Sequence, residues 1–363
     1  MERLVPESMS TVERLRLVDE WANGVDLYDV PSVESLIEYG RRVPVLRTAV
    51  RYGGHILTYA ELFDRLDGGV IGSAGPSLDG LARLLCEIAA AANNDSTLML
   101  GDSGIGLTAE ALAAAADDRR AVVAAHRECR VDRAFGSADV RLFATRWDCA
   151  DAAVELLAAL ADGATLVLAT EAQRRAPAAL AELIATCAAT HVVADARTLT
   201  RLADLPAPAL PTVRRWDVTG TDCPVILSGL LRALAAGSVA GFAYTAPEYA
   251  GVAARGPLDG SGRVRPIPGA RVLVLDSALR PVAPGTSGAI YLGGAALAAE
   301  SAMGFVADPF VPGGRLTRTD ARGRWTADGW LVLDPAESLD MTVASTVADR
   351  IIPVTDDEVD YAA

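Results

Sequence analysis

The chain contains no lysine, so all 33 of its basic residues are arginine. Any step that requires a lysine ammonium must therefore take it from another polypeptide. Cations are also scarce against 47 acidic residues, and the net charge of -14 excludes the basic footprint that nucleic-acid binding needs. The five cysteines (Cys86, Cys129, Cys149, Cys187 and Cys223) are scattered and odd in number, with no CxxC pair. A zinc site or a disulfide frame is excluded on that pattern, and buried free thiols are expected. No apolar run of membrane-spanning length is free of charge or turn residues, and "MERLVPESMS" lacks a secretory layout. The expectation is a cytoplasmic protein without a membrane partner.

What is present is the composition of a soluble globular protein: 363 residues, 51% hydrophobic and 22% charged. That length allows two or three lobes. "STVERLRLVDEWANG" reads as a short amphipathic helix ended by Gly24. "TAVRYGGHILTYAELFDRLDG" reads as a hairpin turning at Gly53-Gly54, followed by a helix capped by Thr58 with Glu61 three residues on. "PSLDGLARLLCEIAAAANN" has helical spacing of leucines. From residue 139, strands ("VRLFAT", "ATLVLAT", "THVVAD", "VAGFAYT") alternate with helices ("CADAAVELLAALADG", "PAALAELIATCAA", "PVILSGLLRALAAG"). This alternation predicts an α/β fold with a mainly parallel sheet covered by helices. After residue 255 glycine, proline and short β-type runs dominate, which predicts a smaller β subdomain. The division expected is 1–255 for an α/β core, 256–335 for a β-rich subdomain of that core, and 336–363 for a hinge remnant and acidic tail.

Several segments, in order, resemble the amino-acid adenylation domains of nonribosomal peptide synthetases. "LTYAELFDRL" is similar to LTYxELxxxA, and "VELLAALADGATLVLA" to ELLxALLxGAxLVLA. "RPIPGARVLVLDSALRPVAPGTSGAIYLGG" is similar to RPIxNxxxYVLDxxLRPVPxGxxGELYIGG. "GFVADPFVPGGRLTRTDARGRWTADGWL" is similar to FVADPFxPPGxRMYRTGDLVRWRADGxLE. The resemblance implies the family's N-terminal core fold, with ATP or AMP and magnesium as ligands if the nucleotide site is retained.

Residue by residue, what it implies for the site is mixed. The family's phosphate loop, TSGSTGxPKG, leads into VVVTHR, which is similar to "VVAAHR" here. On that anchor Arg120 falls on the loop lysine, and residues 112–118 ("LAAAADD") fall across the rest. Consecutive alanines favour a helix, whose N–H groups are used internally, and Asp117 and Asp118 would repel phosphate. The stretch is read as a helix and not a nucleotide cradle, with "GDSGIG" at 101–106 kept as a displaced-loop alternative. Tyr244 falls on the aromatic that lies against adenine, Glu248 on the acid associated with magnesium, and Asp320 on the ribose-binding aspartate. The family's glycine before that aspartate is missing, and Thr319 stands next to it. Each of the three fits a structural role nearly as well. The aspartate that pairs with the substrate's amino group falls on Ala150, flanked by Asp148 and Asp151.

Relatives continue past a hinge into a C-terminal domain carrying a catalytic lysine, whereas this sequence stops at Ala363. The expectation is a degenerate, truncated adenylation-type protein that is catalytically inactive. No catalytic residue, metal ligand or working cofactor is assigned. It would serve as a binding or scaffolding element for peptide-synthetase carrier or condensation domains or other pathway proteins. The alternative is an amino-acid-activating ligase whose lid and lysine come from a partner chain. A protease reading of Ser103 and His126 fails on order, since the serine precedes the histidine in an α/β pattern.

Overall fold

The computed structural model describes residues 9–69, 77–100, 105–128, 139–147, 149–205, 209–221, 224–299 and 304–334. Ser10 caps α1 (Thr11–Leu15), its side chain accepting the Glu13 N–H, and the helix continues through a π-type turn at Arg16–Glu20. It ends four residues before the Gly24 expected from the sequence. Asn23 instead forms a β-bridge with Arg271, and the Gly24 N–H donates to the Ala270 carbonyl at 2.8 Å. Gly24 is required for close approach: a Cβ there would lie 1.7 Å from the Ile267 carbonyl oxygen.

Helix α2 (Val33–Arg41) precedes the hairpin of β1 (Thr48–Tyr52) and β2 (His55–Thr58). The hairpin turns on Gly53 and Gly54, with φ of 55° and 84°, where side-chain-bearing residues are strained. Helix α3 (Tyr59–Gly68) starts with the expected capping box between Thr58 and Glu61. The N–H and hydroxyl donations from Thr58 hold the Glu61 carboxyl below its usual range. Helix α4 (Leu78–Asn93) is followed by a separate two-stranded hairpin, β3 (Leu98–Leu100) and β4 (Ile105–Leu107), which the sequence pattern does not reveal. Helix α5 (Ala109–Glu128) then runs through "LAAAADDRR" without a break, as its alanines predict.

The α/β alternation follows: β5 (Val140–Phe143), α6 (Ala150–Ala161), β6 (Thr165–Leu168), α7 (Glu171–Arg175), α8 (Pro177–Thr186), β7 (His191–Asp195) and α9 (Ala196–Ala203). It closes with β8 (Arg215–Gly220), α10 (Leu227–Leu234) and β9 (Val239–Thr245). Strands β9-β8-β7-β5-β6-β1 are mutually parallel, with β2 antiparallel at the edge. Past β9 the sheet becomes antiparallel through β10 (Val252–Pro257), β11 (Arg263–Pro266), β12 (Ala270–Leu275), β13 (Gly288–Gly294), β14 (Val306–Ala307), β15 (Arg315–Trp325) and β16 (Leu331–Leu333).

Two crossovers leave β5 and β6 in opposite directions along the sheet. The first, through α6, runs to β6; the second, through α7 and α8, passes back across to β7 on the other side of β5. With the right hand that parallel crossovers take, the two connections lie on opposite faces. Accordingly α6 packs against α2, α4 and α5, while α8 packs against α7 and α9. Nine consecutive residues of α6, Ala152–Leu160, are buried, so this helix is enclosed on all sides. Burial of each leucine in it contributes about 1.5–3 kcal/mol. The main core spans the sheet, and a small second cluster joins Val18 and Ala22 to Leu273, Leu275, Tyr291 and Leu316. There Arg271 pairs with Asp308 at 2.6 Å and donates to the Val18 carbonyl and Asn23.

Candidate functional site

The three residues singled out from the sequence meet at the carboxyl end of β9. Tyr244 is the penultimate residue of that strand and is fully buried. Its hydroxyl donates to Thr319 Oγ1 at 3.1 Å, and the Thr319 hydroxyl donates to the Ile290 carbonyl at 3.2 Å. Burial pushes the Tyr244 hydroxyl up to about 12; the Thr319 bond opposes this, and the charges of Glu248 and Asp320 add to it. Glu248, in the turn after β9, is half-buried, and its Oε2 is buried without a hydrogen-bond partner. Burial, with a smaller contribution from Asp320, raises the Glu248 carboxyl above its usual value. Asp320 itself is exposed on β15.

This corner fits only part of a magnesium nucleotide. An orphaned carboxylate oxygen near a second, exposed carboxylate has the hard-donor chemistry that a magnesium ion takes. The Tyr244 ring, however, has no exposed face for a base, because Thr319 and the strands around it cover it. The phosphate end fares worse. Residues 112–118 lie inside α5, where backbone N–H groups bond within the helix, and the Ala111 N–H is capped by the Thr108 hydroxyl at 3.1 Å. The described residues therefore do not assemble a triphosphate cradle. The alternative loop falls partly outside the described residues, which resume at Ile105, and so do Asp148, Ser103 and the tail 336–363. Among the described residues no cluster of three metal-ligating side chains occurs.

The charged end of "LAAAADDRR" is committed elsewhere. Arg119 sits in the core, paired with Glu155 of α6 and Asp217 of β8, and none of the three is more than 5% exposed. Arg215 donates to Asp217 at 2.7 Å, and Arg255 of β10 to Asp118 at 2.7 Å. Arg120, which the resemblance sets against the loop lysine, pairs with Asp162 at 2.9 Å and Asp117 at 3.5 Å and lies over the Tyr39 ring. Asp162 also accepts from Arg141, a residue of β5 that is 1% exposed. Asp117 and Asp118 thus point at arginines of this chain and not at a ligand. Burial opposes ionisation of Asp217, but Arg119 and then Arg215 outweigh it and hold the carboxyl far below the usual range.

The space beside this network is small. Arg119, Asp151, Glu155, Asp217 and Arg255 line a cavity of about 20 Å³. That is room for roughly one water. Ala150 opens α6 immediately before Asp151. Loss of hydration, and then the neighbouring Glu155 charge, push the Asp151 carboxyl up to about 7, against the pull of Arg119 and Arg255.

Sequence reading misses the partners of this network. In "RRWDVTG" charged Arg215 and Asp217 alternate with apolar Trp216 and Val218, a pattern that normally marks a strand with one face in water. Here both faces are covered and β8 is central, so Asp217 is 3% exposed. The only signal available was the matching excess of arginines in "DDRR" and "RR".

An α/β sheet of this order, with the carboxyl end of β9 facing β15, is the adenylation-type fold. A family model described as AMP-binding enzyme matches residues 117–300, just over half of the chain, and the chain belongs to that family. It is 38% identical over 194 residues to CymA of Salinispora arenicola, a probable nonribosomal peptide synthetase, a match covering 50% of this chain and 2% of that protein. It is 36% identical over 193 residues to novobiocin biosynthesis protein H of Streptomyces niveus, covering 48% of this chain and 30% of that protein. The chain therefore spans only a minor part of these relatives. Among solved structures, the nonribosomal peptide synthetase FmoA3 aligns with a TM-score of 0.73 at 19% identity, covering 91% of this chain and 45% of that one. The N-terminal subdomain of Klebsiella oxytoca NpsA aligns with a TM-score of 0.63 at 16% identity, covering 85% of this chain and 99% of that one. At these identities the structural matches establish the fold alone. No helix among the described residues is long and apolar enough to cross a membrane.

Proposed function

We propose that this chain is an adenylation-type domain of nonribosomal peptide synthesis that has given up adenylate formation and acts as a binding or scaffolding element. Its partners would be carrier or condensation domains of the same machinery. The observation that carries this reading is the fate of "DDRR". Residues that the resemblance places on the phosphate loop form a buried ion network, and the cavity lined by Asp151, Glu155 and Asp217 has room for about one water and not for an amino acid. Phosphoryl chemistry depends on preorganised cations and N–H donors at the phosphates, and these arginines are already neutralised within the protein. The match to an N-terminal subdomain supports reading residues 1–255 and 256–335 as two parts of one such core.

Glu248 Oε2 and Asp320 favour a second reading, a ligase that binds nucleotide and magnesium here, with Tyr244 beside it, and is completed by a partner chain. Amino-acid-dependent ATP–pyrophosphate exchange separates the two. The proposal expects none from the chain, alone or with its partner domains, and exchange in the isolated chain refutes it. A thermal-shift titration with Mg-ATP gives an independent readout, because a ligand at 100 times its dissociation constant stabilises by about 2.7 kcal/mol.

A further inference from the structure

A second cavity, of about 410 Å³, opens over the carboxyl ends of β1, β5 and β6. Its lining comes from Tyr52 at the end of β1, Thr145–Trp147 after β5, Ala169 after β6, and Glu171, Arg174 and Arg175 of α7. The place follows from topology. Strands β5 and β6 are parallel neighbours whose outgoing connections leave on opposite faces, which parts the loops above them. Such a switch point, outside the carboxyl ends of the strands, is where open α/β sheets hold small ligands. It lies three strands from Tyr244, since β8 and β7 separate β9 from β5. At about 4.8 Å per strand that is roughly 14 Å across the sheet.

The chemistry of the lining is unusual for this chain. Among the described residues, three arginines and one glutamate line it, in a protein whose net charge is -14. Glu171 pairs with Arg175, and Arg175 also offers its carbonyl to Arg201 of α9 at 2.5 Å. Arg174 makes no ion pair among the described residues, and its Nε is buried without a hydrogen-bond partner. The α7 N-terminus is closed by its own Thr170–Gln173 capping box, so the side chains and not the helix end define the site. Guanidinium groups match oxyanions through paired N–H donors, and an indole and a phenol ring give a flat body something to lie against.

We infer that this cavity binds a small phosphate ester with a flat or aromatic body, its phosphate held by Arg174 and Arg146 and its body against Trp147 and Tyr52. This site is independent of the function proposed above, because neither Tyr244 nor the α5 network contributes to it. Phenyl phosphate, inorganic phosphate and phenol serve as probes, titrated against the full chain by calorimetry and tryptophan fluorescence. Expected is saturable binding in the order phenyl phosphate, then phosphate, with none for phenol. Arg174→Gln weakens phenyl phosphate at least about tenfold, the scale of a lost charge-assisted hydrogen bond. Trp147→Leu weakens phenyl phosphate and leaves phosphate unchanged. Should Arg174→Gln lower the melting temperature, the exposed Arg146→Gln provides the same test. Absence of saturable phenyl phosphate binding overturns the assignment. So does binding that survives both arginine substitutions.

Discussion

Arg119 of α5 and Asp217 of β8 face each other as a buried ion pair, joined by Glu155 of α6, so that one guanidinium ties a helical layer to the centre of the sheet. Breaking a buried pair from one side leaves uncompensated charge. Arg119→Met should therefore lower unfolding stability by about 3–5 kcal/mol, read from urea denaturation. Arg120→Met, on the same helix but with its side chain 24% exposed, should cost much less. Equal costs would show that the network is not what the burial implies.

Asp151 gives the network a pH dependence with a definite sign. Its carboxyl is up to about 7 in the folded chain and near 4 when unfolded, so the folded state holds the extra proton between those values. Its contribution is complete below about pH 4 and is lost as pH rises through 7. The raised carboxyls of Asp117 and Glu248 act in the same sense, and the depressed Asp217 acts oppositely, its contribution being lost as pH falls below the unfolded carboxylate range near 4. Melting temperature should fall between pH 5 and 8, and Asp151→Asn should flatten that slope and stabilise the chain at pH 8. A slope unaltered by the substitution would exclude Asp151 as its source.

Tyr244→Phe tests the closed corner. The variant loses the bond to Thr319, while Thr319 keeps its own donation to the Ile290 carbonyl. A cost of about 1 kcal/mol is expected in chemical denaturation, without change in unfolding slope. A gain in stability would mean that the hydroxyl is held there for another purpose.

Gly24→Ala places a methyl carbon 1.7 Å from the Ile267 carbonyl oxygen, a backbone atom that cannot turn aside. The Asn23–Arg271 bridge should part, at a cost of about 1–3 kcal/mol in thermal unfolding. An unperturbed melt would contradict the close approach.

Where local chemistry decides the structure, the sequence is readable. Thr58 and Glu61 announce a helix start, Gly53-Gly54 a hairpin, and the alternation from Val140 to Thr245 a parallel sheet. Legibility ends where a residue's role depends on a distant partner. Nothing near Arg119 in the chain reveals Asp217, which lies 98 residues away, and Gly24 looks like a helix stop until Ile267 is beside it. That Tyr244, Glu248 and Asp320 form one corner was legible from the resemblance. Its closure by Thr319 was not, because a hydroxyl replacing a missing glycine shows its direction only in three dimensions. The cavity above β5 and β6 had no sequence signal beyond "ATRW" and "QRRA", which read as ordinary loop arginines.

The edge hairpin has a history that the finished sheet conceals. Val50 of β1 is hydrogen-bonded in register with Leu166 of β6, and Ala49, Val50 and Leu57 end fully sheltered. A ribosome delivering roughly 5–20 residues each second completes the hairpin on the order of 6–20 s before that partner strand emerges. For that interval the ribbon stands without its neighbour, with the strand edge that β6 later pairs still open.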